Sequence, residues 1–279
     1  MPLNSEGVGH EVGPTDHQHD WNDVVLYAIS VGAKADELDI LLETRGPTVL
    51  PTWAVIPTFE PVFEALAALG GDFGDVLHGG QSIRIHKPIP SSGTLRTTAR
   101  CTGLYDRRKF AQTTATTQTV DADGELIFET EWTVLYSGQG GWGGPLAPKG
   151  PDKNTPEGDP TWVYEQTTLP TQALVYRLNG DLNPLHADPE HARKYGFDDP
   201  ILHGLCTFGH AGLALIRTVC GGDPTRLRSM TCLFRKPVTP GDTLTTRVWD
   251  LGDGDIRFQT HVVERGDAVI TAGHVEVAP

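Results

Sequence analysis

The chain has 279 residues, with 22 Lys and Arg against 36 Asp and Glu, a formal net charge of −14 and a pI near 5.1. That charge excludes a nucleic-acid surface, which needs a basic face to neutralise phosphates. No run of 18 apolar residues is present to cross a membrane, and the first twenty residues lack the basic-then-apolar pattern of a secretory leader, so a cytoplasmic protein acting on small molecules is expected.

Residues 1–20 are polar and His-rich and read as a flexible N-terminal arm. A first strand is placed around Tyr27, followed by a variable loop and a helix between Pro57 and Gly70. Then come long segments of period two, IRIHKPI, TLRTTARCTGLY, FAQTTATTQTV and ELIFETEWTVLY, rich in Thr, Val and Ile. These predict half-buried antiparallel strands, with a hairpin at DADGE. Residues 138–160, GQGGWGGPLAPKGPDKNTPEGDP, are Gly- and Pro-rich without a hydrophobic period and read as a linker. Beyond it the order recurs: a strand around Tyr176, a helix from Gly204 to Cys220, then TLTTRVWDL, IRFQTHVVE and AVITAGHVEV.

The recurrence holds in register. KPIPSSGTLRT from Lys87 lies over KPVTPGDTLTT from Lys236, 149 positions later, and the same shift puts Tyr27 over Tyr176, Pro51 over Pro200, Phe59 over Phe208 and Leu66 over Leu215. This is an internal duplication. The helix from Gly204 is apolar nearly all round and needs cover on most sides. A curved antiparallel sheet wrapped around such a helix is the hot-dog arrangement. The expected fold is therefore α+β, a double hot-dog with repeats at residues 21–137 and 161–279. Cys101, Cys206, Cys220 and Cys232 have no CxxC spacing and read as free thiols.

The segment YRLNGDLNPLHADPEHA, Tyr176 to Ala192, carries the candidate chemistry. Asp188-Pro189-Glu190 is a helix start with Asp188 as N-cap. Asp181, Asn183 and His186 precede it in an irregular turn between Gly180 and Pro184. Singly, such residues are commonest as turn formers or structural histidines. At the shift of 149 they lie over Gly32, Lys34 and Glu37, although scaffold positions persist in both copies. A triplet needed for folding would recur in both repeats, so a triplet confined to the second points to chemistry.

YRLNGDLNPLHADPEHA resembles the hydratase-2 motif of the MaoC-like (R)-specific enoyl-CoA hydratases, in the two-domain form that includes the hydratase part of peroxisomal multifunctional enzyme type 2. LYAISVGA, TVLPTWAVIP, VLHGGQSIRIHKPIP, PILHGLCTFG and FRKPVTPGDTL resemble the family as well, so the likeness runs from about Asp23 to the C-terminus. Three positions depart from its usual pattern. Asn179 replaces a small residue, Gly80 an acidic one, and Leu233 an Arg before Phe234.

The resemblance implies reversible hydration of a trans-2-enoyl-CoA to a (3R)-hydroxyacyl-CoA. Asp181 and His186 would grip one water as the acid/base pair, Asn183 would orient them, and the Gly204 N–H would stabilise the thioester oxyanion at the start of the buried helix. The first repeat would accommodate the acyl tail. It further implies a homodimer, an acyl-CoA partner and no cofactor. Arg84, Lys87, Arg235 and Lys236 are the candidate contacts to CoA phosphates. The histidines of HQHD, His191 and His210 have no recognised ligand spacing, so no metal is expected. Two other activities stay open: a hot-dog thioesterase using Glu60 or Glu64 of the first-repeat helix, and a non-catalytic acyl-thioester binder.

Overall fold

In the computed structural model, residues 3–71, 76–150, 152 and 154–278 are described. Among these described residues, ten strands form one antiparallel sheet: β1 (Glu11–His19), β2 (Val76–Ile85), β3 (Gly93–Asp106), β4 (Phe110–Val120), β5 (Leu126–Ser137), β6 (Trp162–Thr167), β7 (Leu227–Phe234), β8 (Thr243–Asp250), β9 (Ile256–Val262) and β10 (Ala268–Val277). Their order across the sheet is β1-β3-β4-β5-β2-β7-β10-β9-β8-β6. Renaming each strand by its counterpart in the other half reverses this list onto itself, so two copies of one five-stranded unit meet at β2 and β7.

The seam carries the symmetry in its atoms. Ser82 pairs with Thr231 in the β2–β7 register, and their hydroxyls are 2.8 Å apart. The two residues are separated by 149 positions. Asn179 and Ser30, separated by the same 149, are joined by a 3.0 Å bond from Nδ2 to Oγ. The rings of Tyr27 and Tyr176, another such pair, lie 6.2 Å apart. Equivalent residues touch each other only where a two-fold axis passes between them, and here both halves belong to one chain.

Alternation produces the sheet's two faces. β4 repeats a buried position at nearly every second residue, with Ala111, Thr113, Ala115, Thr117 and Thr119 inward. Against the inner face of the second half packs α6 (Gly204–Thr218), buried from Leu205 through Ile216. Its first-half counterpart, α3 (Phe59–Ala67), is shorter, and a 3-10 turn at Pro51–Val55 precedes it. Glycines let α6 approach its neighbours: a Cβ on Gly212 would lie 2.6 Å from Thr52, and one on Gly209 would collide with Val31. All four cysteines are buried and none is disulfide-bonded.

Three expectations are corrected. Tyr27 lies in a helix, α1 (Trp21–Ser30), rather than a strand. Asp20 caps it in a reciprocal box with Asp23, and Val24, Tyr27 and Ala28 make the buried helical stripe. A short apolar run such as VVLYAI fits either period, and the Asp20 cap decides it. Tyr176 likewise ends a short helix, α4 (Gln172–Tyr176), after α2 (Leu38–Leu41). Finally, the N-terminal arm is ordered over Glu11–His19, where β1 adds an edge strand to β3, with His19 Nε2 2.8 Å from the Pro90 carbonyl oxygen. Its low hydrophobicity suits an edge strand as well as a disordered arm.

The first-half loop at Gly32–Glu37 is a clamp. Arg217, on α6, binds both carboxylate oxygens of Glu37 at 2.6 and 2.7 Å, the Gly32 carbonyl at 3.0 Å, and Tyr164 and Gln166 at 2.8 Å each. Burial alone would raise the Glu37 pKa, but the hydrogen bonds from Arg217 and the Lys34 amide, together with both positive charges, outweigh it and hold the carboxyl below its ordinary value. Lys34 sits over the Tyr164 ring. Arg217→Met leaves Glu37 and the Gly32 carbonyl without that donor, so a loss of about 2 kcal/mol in urea unfolding is expected, below the range for a fully buried pair because Glu37 keeps 25 % exposure. An unchanged urea midpoint would show the clamp to be stabilised elsewhere.

Candidate active site

The turn between α4 and α5 (Pro189–Lys194) carries the site. A 3-10 turn, Arg177–Asn179, ends at Gly180, whose φ of 118° lies where a side chain is strained, and this reversal delivers Asp181. Asp181 Oδ1 accepts from the Asn183 amide at 3.2 Å. Asn183 Oδ1 accepts from the Leu185 amide at 3.0 Å and caps the 3-10 turn Pro184–His186. Asp188 caps α5 as anticipated, with Pro189 at its first position. Each polar residue thus fixes the backbone that presents the next.

His186 is buried, and its Nδ1 lies 2.8 Å from the Ile201 carbonyl oxygen. A nitrogen that close to a carbonyl carries the proton, which leaves Nε2 as the acceptor. His203, 1 % exposed, places Nε2 3.2 Å from the carbonyl oxygen of Asp181, and its ring overlaps that of His186 with centroids 3.8 Å apart. One donor atom from each of Asp181, His186 and His203 lies within 4.8 Å of the others. Burial raises the Asp181 carboxyl above its ordinary value, against the pull of the His186 charge. Burial lowers His186, against the Asp181 charge and the Ile201 carbonyl. For His203, burial and then His186 push the imidazole down to about 2. The pair titrates in a shared environment that brings the two groups toward each other, as proton exchange between them requires.

Gly204 follows His203 and opens α6, so its N–H has no partner within the helix. A Cβ there would lie 3.7 Å from the Phe234 ring, an ordinary contact. Unlike Gly209 and Gly212, which Val31 and Thr52 crowd, this glycine is not demanded by close packing, and it carries no side chain over its N–H. Gly204→Ala should keep the fold and its thermal midpoint while lowering kcat by about 10²-fold, a loss in the range seen when an oxyanion donor is displaced. Equal activity in the alanine variant would remove Gly204 from the chemistry.

The structure brings Asp181, His186 and Gly204 to one place and gives exposed Asn183 a capping role beside them. The CoA candidates divide. Arg84 is held by Glu276 in a two-point ion pair at 2.9 and 3.1 Å, and Lys87 by Glu125 at 2.7 Å. Arg235 and Lys236 follow Phe234, and their loop is tied to the segment before Gly204 by a 2.7 Å bond from the Leu202 amide to the Val238 carbonyl. Lys236 remains 61 % exposed, 4.0 Å from Asp267.

Sequence reasoning passed over the contact of His203 with Asp181. It also missed Tyr176, whose ring is 4.9 Å from His203, and His78 of the first repeat, 4.9 Å from Phe234 and stacked on Trp132 at 5.0 Å. For His203, adjacency to Gly204 was the available signal. For His78, only the pairing of β2 with β7 reveals proximity.

A carboxyl and an imidazole beside a helix N-terminus, in a double hot-dog, define the class. Residues 17–138 match the MFE-2 hydratase 2 N-terminal domain, and residues 152–273 match the MaoC like domain. The chain belongs to the MaoC-like family in its two-repeat, hydratase 2 form. Among its relatives, the peroxisomal enoyl-CoA hydratase 2 of Arabidopsis thaliana is 37 % identical, over 97 % of this chain and 94 % of that protein. The 3-hydroxyacyl-thioester dehydratase Y of Mycobacterium tuberculosis is 38 % identical, over 94 % and 92 %. A MaoC-like dehydratase from Phytophthora capsici superposes with a TM-score of 0.89 at 31 % identity, covering 99 % of this chain and 98 % of that one.

Proposed function

We propose that the protein catalyses reversible syn hydration of trans-2-enoyl-CoA to (3R)-hydroxyacyl-CoA, without a cofactor. The observation that carries this is the convergence of Asp181 and His186 beside the N–H of Gly204, which has no partner within its helix. A water held by the pair adds its oxygen to C3 and gives up a proton to the pair. The pair returns a proton to C2, so the elements of one water are added in full. The charge that gathers on the thioester oxygen between these events is taken by the Gly204 N–H, and the reverse sequence is dehydration. General acid and base assistance contributes about 10²- to 10⁴-fold for each proton transfer.

Arg235 and exposed Lys236, on the loop bonded to the segment before Gly204, are the better candidates for CoA phosphates, and the ion pairs of Arg84 and Lys87 make those two poorer ones. An aromatic line from Phe59 and Phe63 through Trp132 and His78 to Phe234 leads from α3 toward Gly204, and it supports an acyl-tail role for the first repeat. Cytoplasmic location and a homodimer complete the proposal, to be tested by fractionation and light scattering. No helix among the described residues is long and apolar enough to cross a membrane.

The test is to mix the protein with trans-2-butenoyl-CoA and a longer homologue, follow enoyl absorbance, and assay the product with an (R)-specific dehydrogenase. Absorbance loss with (R) product is the expected result. Free thiol instead would indicate a thioesterase, a reading the structure disfavours because Glu60 and Glu64 are exposed. Binding without turnover would indicate a binder.

A further inference from the structure

The reacting cluster holds an unspent lone pair. His186 Nδ1 is engaged by the Ile201 carbonyl and His203 Nε2 by the Asp181 carbonyl, so the lone pairs in the neutral rings fall on His186 Nε2 and His203 Nδ1. His203 Nδ1 is buried and has no hydrogen-bond partner among the described residues. A buried acceptor in that state calls for an explanation. A carboxylate oxygen of Asp181 and one ring nitrogen from each of His186 and His203 lie within 4.8 Å of one another.

We propose that Asp181, His186 and His203 also form a chelating site for a borderline divalent transition ion, Zn²⁺ foremost, and that the ion inhibits by occupying the place of the reacting water. Two imidazoles and a carboxylate suit Zn²⁺, Co²⁺ or Ni²⁺, whereas Mg²⁺ and Ca²⁺ take oxygen ligands. Each imidazole is braced through one nitrogen on a backbone carbonyl, Ile201 for His186 and Asp181 for His203, the kind of bond that orients metal-binding histidines. The cluster is not preformed at bonding distance. Zn–N and Zn–O bonds of about 2.1 Å put tetrahedral ligand atoms about 3.4 Å apart, so donors up to 4.8 Å apart must close by roughly 1 Å and the overlapped rings must splay. That rearrangement favours reversible micromolar binding over a permanent structural ion. Asp181 is only partly buried, which leaves the ion a route in.

The inhibitory half rests on the hydratase reading; the binding half does not. The full chain, freed of metal with EDTA, is titrated with Co²⁺ for its visible d–d bands and with Zn²⁺ by calorimetry, with Mg²⁺ as control. One ion per chain is expected, with Co²⁺ bands of tetrahedral intensity and no response to Mg²⁺. His203→Phe keeps the ring but removes both nitrogens, and it should weaken binding at least 10-fold; Asp181→Asn should do so independently if the Phe variant misfolds. His17→Ala, which breaks the other close histidine pair, His17 and His19 with ring centroids 6.1 Å apart, should change nothing. No Co²⁺ bands, or bands that survive in the folded Asp181→Asn variant, overturn the site. Zn²⁺ that stops hydration, with recovery on adding EDTA, supports inhibition, and hydration unaffected by bound Zn²⁺ overturns that half. A chain that binds Zn²⁺ at these residues but hydrates no enoyl thioester leaves the site standing and overturns the hydratase reading.

Discussion

Asp181→Asn and His186→Ala are each expected to lower kcat/KM for enoyl-CoA hydration by about 10³-fold or more, because each removes one partner from both proton transfers. Their effects on stability should differ. Asp181 is a carboxyl whose pKa burial raises, so the isosteric amide removes a desolvated charge, and the thermal midpoint should hold or rise. His186 donates to the Ile201 carbonyl, so alanine there leaves that oxygen unpaired, at a cost of about 1–3 kcal/mol. The double variant should be little slower than the worse single one, since residues acting as a unit are non-additive. The wild-type profile should lose activity on the acid side between the ordinary values of 6.5 for His and 3.8 for Asp, because burial lowers the first and raises the second. Full activity in Asp181→Asn, or an acid limb above 6.5, would remove the pair from the mechanism.

Much of this was legible in the sequence because duplication is a control experiment written into the chain. Comparing Asp181 and His186 with Gly32 and Glu37 separated chemistry from scaffold, and the structure shows what the first copy does with the freed positions: Gly32 and Glu37 serve Arg217. Strands β3, β4 and β5 were legible through period-two burial. The short helices α1 and α4 were not, since five or six apolar residues fit either period and only capping distinguishes them. The departures at Gly80 and Leu233 also looked independent. They face each other in the β2–β7 register, and a Cβ on Gly80 would lie 2.9 Å from a methyl of Leu233. An acidic residue and an arginine at these positions would be a cross-strand pair, and here one apolar side chain fills the space left by a glycine. Asn179 has a reason of the same kind, spanning the two-fold axis to Ser30. Contacts across the axis join residues 149 apart, which no local pattern reveals.

Acid should unfold this protein more steeply than its carboxylates alone would. His203 and His210 are 1 % and 4 % exposed, and burial pushes their imidazoles down to about 2 and about 3. In the unfolded chain both titrate near 6.5, so below that pH the unfolded state binds more protons and stability falls as pH falls. Each histidine contributes a slope of about 1.4 kcal/mol per pH unit until its folded pKa is reached. Set against a typical total of about 5–15 kcal/mol, the two together bring a marginal fold to its midpoint within a few pH units. His210 isolates the effect, because neither of its ring nitrogens has a hydrogen-bond partner among the described residues. Replacing it leaves no neighbour unsatisfied, and methionine fills the site with a flexible apolar chain. His210→Met should therefore gain about 2 kcal/mol over wild type on going from pH 7.5 to pH 5, read from urea midpoints at the two values. The opposite sign would require a raised pKa and a charged histidine in the fold, which burial beside the Arg217 charge forbids. A stability difference that is the same at both pH values would mean that His210 is protonated, or neutral, equally in both states, and acid sensitivity would then have to come from the carboxylates.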